Sequence, residues 1–108
     1  APKLVVSVAN TLKDELNPAV IYACAHTLAS YTKYADVAVP ALLSRVERYL
    51  IDFQNSSVDE KALREVCLAL KGMHARKAFI PLLKVLQSRY DEDVKSAAQE
   101  AIQAIKIQ

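Results

Sequence analysis

Apolar residues return every three or four positions along most of this chain, which is the spacing of one face of an α-helix. Val20, Ile21, Cys24, Thr27, Leu28 and Tyr31 keep that spacing. So do Val39, Leu42, Leu43, Val46, Tyr49, Leu50 and Phe53, and then Leu63, Val66, Cys67, Leu70 and Met73. Prolines and polar breaks divide the pattern into six predicted helices, at about 2–16, 18–34, 37–53, 58–73, 76–90 and 91–106. Pro2 suits a first turn, where a missing N–H costs nothing. Asn17-Pro18 separates the first two helices. In the third, Arg45, Glu47, Arg48 and Asp52 point away from the apolar stripe.

The polar stretch 54–57 stops the third helix. Ser57 then reads as an N-cap with Glu60 as its capping-box partner. Gly72 loosens or caps the end of the fourth helix. Pro81 falls inside the fifth and makes its first turn irregular. Asp91, Glu92 and Asp93 open the sixth, where acids favour the positive end of the helix dipole. The second helix also carries Ala23, Ala25 and Ala29, so neighbours should cover it on more than one side.

The six helices align as three pairs, at about 2–34, 37–73 and 76–106. Proline-led starts recur at Pro2, Pro40 and Pro81. In the second helix of each pair, Cys24, Val66 and Ala98 coincide. So do Leu28, Leu70 and Ile102, and then Tyr31, Met73 and Ile105. The period is about 32–42 residues, the range of paired-helix repeats. A pair of this size cannot bury its apolar face alone, and stacking pairs makes a continuous core. The expected fold is all-α, a single domain over 1–108 built as a right-handed α-α superhelix of antiparallel helix pairs. An ordinary antiparallel bundle is the other arrangement this periodicity allows.

The third pair carries a more specific pattern: Pro81, Leu82, Leu83 and Leu86, an acidic turn, then Val94-Lys95, Ala97-Ala98 and Ala101-Ile102. In this the chain resembles the HEAT repeats of the armadillo-like superfamily. That resemblance implies that Asp91 or Asp93, with Lys95, bonds across neighbouring units. The second pair keeps Pro40, Leu42 and Leu43 but has a longer connection, and the first matches less. A narrower resemblance runs from Glu60 to Leu86 and on through 91–102. It is similar to the superhelical region of large lipid transfer proteins of the vitellogenin and apolipoprotein B type. Met73 stands after Gly72 where that pattern has Asn.

Composition agrees with helices. The chain has 108 residues, 53% of them hydrophobic, with one glycine and no tryptophan. A formal net charge of +2 is nearly balanced and argues against a dedicated nucleic-acid binder. The longest apolar run, 19–25, falls well short of the roughly 18–20 residues of a membrane span. The start, "APKLVV", has neither Met nor a signal-peptide pattern, which predicts an excised initiator or a segment of a longer protein. Cys24 and Cys67 sit on apolar faces and read as small core residues, with a disulfide or a reactive thiol as alternatives. Free thiols point to a cytoplasmic setting.

No catalytic, cofactor or metal-ligating constellation is expected. His26 and Cys24 lie two residues apart and do not share a helix face, and His26 reads as a partly buried structural histidine. His74, in a basic turn, reads as a solvated loop or a contact for acidic groups. No His-Glu pair or Cys-x-x-Cys spacing occurs. Asn55-Ser56-Ser57 is a glycosylation triplet, relevant only in the secretory pathway. Tyr22, Tyr31, Tyr34 and Tyr49 divide between core and interface anchors.

The candidate partner-binding residues are Arg64, Lys71, Lys95, Gln99, Gln103 and Lys106, on second helices that line the concave face of a solenoid. They point to a non-enzymatic scaffold for a protein or peptide partner. The lipid-transfer resemblance implies instead a helical segment around a lipid cavity, in the secretory pathway. A third reading sets Arg76, Lys77, Lys84 and Arg89 against nucleic-acid phosphates. The apolar second helix, with Ile105 and Ile107 at the end, predicts self-association or membership of a longer array.

Overall fold

A computed structural model describes residues 2–107. It contains α1 (Lys3–Asp14), α2 (Pro18–Leu28), α3 (Ala35–Ile51), α4 (Ser57–Met73), α5 (Phe79–Leu86) and α6 (Glu92–Lys106). Short 3-10 turns at Thr32–Tyr34 and Arg76–Ala78 lead into α3 and α5. No strand occurs among the described residues.

Local chemistry sets the helix boundaries. Asn17 Oδ1 accepts from the backbone N–H of Ala19 at 2.9 Å, and Pro18 occupies the first turn of α2. The cap of α4 is Ser56, one residue before the predicted Ser57. Its Oγ accepts from Asp59 N at 3.1 Å and donates to Asp59 Oδ2 at 2.7 Å. Asp59, not Glu60, is therefore the reciprocal partner. Asp91 caps α6 by accepting from Val94 N at 2.9 Å.

Two helices are shorter than their apolar patterns. α2 stops at Leu28, and the 3-10 turn carries the chain to Tyr34. α5 stops at Leu86 because Ser88 Oγ takes the Val85 carbonyl, after which Tyr90 turns into the core. The 3-10 entry to α5 supplies the irregular start expected beside Pro81. α3 begins before the predicted position, so Pro40 lies in its interior and leaves the Asp36 carbonyl without its intrahelical donor.

Packing builds two layers. α1 lies against α3 and α3 against α5, while α2 lies against α4 and α4 against α6. Each odd helix also packs on the even helix that follows it. The Cα envelope measures 36 × 34 × 18 Å, a slab two helices thick at ordinary 8–10 Å spacing. Leu12, Leu28, Leu42, Leu63, Leu70 and Leu82 are fully buried between the layers, each worth about 1.5–3 kcal/mol of transfer free energy. Ala69, Ala97, Ala98 and Ala101 are buried too, and their small size lets α4 and α6 approach closely. The aligned positions Cys24, Val66 and Ala98 are all buried, as are Leu28, Leu70 and Ile102. In the last set Met73 and Ile105 are buried, but Tyr31 lies beyond the end of α2 and is half-buried.

Side chains from one pair close the helix end of the pair before it. Arg45 of α3 is only 5% exposed, contrary to its predicted outward placement. It donates to the carbonyls of Leu12, Lys13 and Glu15, and Arg48 donates to Lys13 O at 2.9 Å. These are the orphan carbonyls at the end of α1 and just beyond it. Tyr90 does the same for α3: its hydroxyl donates to Tyr49 O and accepts from Gln54 N.

Candidate functional site

The outer face of the even-numbered layer is the polar surface of interest. Along α4, Leu63, Val66 and Leu70 turn inward, which leaves Lys61, Arg64 and Lys71 exposed. Along α6, Val94, Ala98, Ile102 and Ile105 turn inward, leaving Gln99, Gln103 and Lys106 exposed; Lys95 is half-buried.

The six predicted residues fall into two strips. Lys71 Nζ donates to Glu100 Oε1 at 2.9 Å. The hydrogen bond and charge of Lys71 hold the Glu100 carboxyl below its usual range, and Arg64 contributes to the same effect. Glu100 lies about 100° round α6 from Gln99, on the side facing α4. Lys95, Gln99, Gln103 and Lys106 lie within about 80° of one another on the other side of it. Lys106 there lines a shallow recess of about 300 Å³ with Arg76, Phe79 and Ile105. Arg64 instead borders a recess of about 550 Å³ at the starts of α4 and α6, with Asn55, Glu60, Asp91 and Asp93.

The bond across units that the HEAT resemblance implies for Asp91 or Asp93 and for Lys95 does not occur among the side chains of the described residues. Asp91 uses its carboxylate as a cap, and Lys95 has no side-chain partner among the described residues. The turn is joined to the preceding pair by a different bond: Asp91 N donates to Glu60 Oε2 at 2.8 Å.

A second group lies between α2 and α4, and spacing within single helices could not reveal it. His26 Nδ1 sits 2.9 Å from Glu65 Oε1. The His26 side chain is 70% exposed, so it is a surface group and not a partly buried one. Tyr22 stacks on it at 6.0 Å between ring centroids, and Lys61 Nζ lies 5.1 Å over the Tyr22 ring. The only sequence signal was Tyr22 and His26 four residues apart, which shares a face on a helix.

The remaining chemical candidates have structural surroundings. Cys24 and Cys67 are free and buried. Burial pushes the Cys67 thiol up to about 12, and raises Cys24 as well, with Glu15 adding to it. Neither is an activated thiolate. His74 follows α4 in the left-handed conformation at φ 52°, and its Nδ1 lies 3.2 Å from Ala104 O. The left-handed position is thus His74 and not Gly72. Tyr49 belongs to the core, whereas Tyr22, Tyr31 and Tyr34 are half-buried. No group of three or more His, Cys, Asp or Glu with metal-binding geometry occurs among the described residues, and no helix there is long and apolar enough to cross a membrane.

Compared with protein-family models, curated proteins and solved structures, the chain matches none.

Proposed function

We propose that this chain is a HEAT-like helical-repeat module that binds a protein or peptide along the exposed faces of α4 and α6. The observation that carries this reading is the pairing of the two-layer stack with an unengaged polar strip. Lys95, Gln99, Gln103 and Lys106 run along one side of α6 without side-chain hydrogen bonds among the described residues. Arg64, on α4 beside the recess at the starts of α4 and α6, is likewise without a side-chain hydrogen bond among the described residues. Such a strip offers donors and acceptors at helical spacing to an extended or helical partner. The recurrent burial at equivalent positions supports a superhelical stack over an ordinary bundle, since neighbouring pairs reuse the same contacts.

Affinity capture from the native compartment, followed by mass spectrometry, tests the reading. A defined protein partner should be recovered. Arg64→Glu and Lys95→Glu should each weaken its capture while circular dichroism and melting stay unchanged. Full retention by both variants would remove this face from consideration.

A further inference from the structure

Arg45 does more than close α1. Its Nε and Nη2 are committed to carbonyls of residues 12–15, but Nη1 has no hydrogen-bond partner among the described residues. No buried side-chain nitrogen or oxygen there lacks a partner, so Nη1 must reach solvent. Arg45 also lines a recess of about 460 Å³ together with Arg48, Tyr49, Asp52 and Asp59. Leu16, Ile21, Ile51 and Gln54 complete the walls. Leu16 is 79% exposed and Ile51 is 87% exposed, so this mouth displays two large apolar side chains to water.

Asp59 is engaged at both oxygens, by the Tyr49 hydroxyl at 3.0 Å and by Ser56. Asp52 Oδ2 accepts from the Gln54 side chain at 2.7 Å. Neither arginine lies within ion-pair distance of a carboxylate among the described residues. Both arginines therefore keep unused N–H donors beside an apolar wall, and Asp52 Oδ1 is the lining carboxylate oxygen without a bond among the described residues. Two lining acids against two lining arginines leave no net field for a polyanion. One negative charge on an apolar stem fits both features, and recesses of this size accept small molecules.

We propose that this recess binds a monocarboxylate carried on an apolar stem. The carboxylate takes Arg45 Nη1 and the free donors of Arg48, and the stem lies against Leu16 and Ile51. A free fatty acid and the C-terminal carboxylate of a peptide ending in an aliphatic residue share this chemistry.

Titration of the ¹⁵N-labelled protein, followed by NMR, tests it. Octanoate should shift the Arg45 Nε–Hε and the Ile51 resonances. Octanamide should bind about tenfold more weakly, because a charge-assisted hydrogen bond is replaced by a neutral one. Arg45 also supports α1, so the decisive variant is Ile51→Glu, at an exposed site that the fold does not need. It should weaken octanoate about tenfold through like charge and loss of the apolar wall. Tighter binding of N-acetyl-leucine than of octanoate would assign the peptide source, and the reverse the fatty-acid source. Equal affinity for octanamide, equal affinity of inorganic phosphate, unchanged binding by Ile51→Glu, or no shift with octanoate would each overturn the proposal.

Discussion

Arg45, from the middle of α3, donates to the carbonyl of Leu12 from both Nε and Nη2, at 3.1 and 2.7 Å. One side chain thus ties the second helix pair to the end of the first. A helix leaves its last carbonyls without intrahelical donors, and in a stacked array the next unit can supply them. The guanidinium is suited to this because it carries a fork of donors and a charge that the negative end of the helix dipole favours.

Arg45→Met should therefore destabilise the fold, by about 3 kcal/mol, through loss of several charged hydrogen bonds to buried carbonyls. Urea denaturation should show a lower midpoint at unchanged m-value. Arg48→Met, at an exposed position with a single bond to Lys13, should cost less than about 1 kcal/mol. Equal effects from the two substitutions would contradict the assigned roles.

Tyr90 performs the equivalent task between the second and third pairs. Its ring packs on Phe53 at 4.8 Å and edge-on against Tyr49 at 6.2 Å, while the hydroxyl bonds Tyr49 O and Gln54 N. Tyr90→Phe keeps the packing and removes only the bonds, so it should cost about 1–2 kcal/mol. Tyr90→Ala should cost about 3–5 kcal/mol, because it also opens a cavity. The difference in denaturation midpoint between the two substitutions separates ring from hydroxyl.

The helix count and most core positions could be read from the chain because apolar spacing reports directly on which face is buried. What spacing could not report is contact between elements. Arg45 looked like a surface residue within α3, since nothing local distinguishes a solvated arginine from one reaching α1, 33 residues away. The acidic turn was read for its charge, yet it joins α4 through the Asp91 backbone N–H, which no side-chain pattern encodes. The Ser56 cap was missed by one residue because adjacent serines offer the same chemistry. Five of the six residues proposed as a binding strip are exposed and Lys95 is half-buried, but Glu100 divides them, and Lys71 is already paired there.

Gly72 provides a direct test of the α4 terminus. Its φ is not positive, and an added Cβ would meet only Thr32 Cγ2 at 3.6 Å, an ordinary contact. Gly72→Ala should raise stability by about 0.5–1 kcal/mol by removing backbone freedom from the unfolded chain. A thermal melt showing a lower midpoint for this variant would mean that Gly72, rather than His74, carries the special conformation.

Alkaline pH should weaken the fold through the buried thiol of Cys67. Its ordinary value is 9.0, and burial moves it up to about 12 in the folded protein. The folded value is raised, so stability is fully present below 9.0 and is lost as pH rises towards 12. In that window the unfolded chain has released the proton and the folded chain still holds it, so unfolding is favoured by about 1.4 kcal/mol per pH unit. Burial also raises Tyr49 and Tyr90, which steepens the loss above their ordinary 10.0. Urea midpoints measured from pH 7 to 11 should therefore stay level to about 9 and then decline. Cys67→Ala should begin lower, because it leaves a small void. Between 9 and 10 its decline should be shallower, since only the Cys24 thiol, also raised by burial, contributes there, and it should steepen above 10 where the tyrosines take over. Identical pH profiles for the two proteins would show that the thiol proton is not what folding retains.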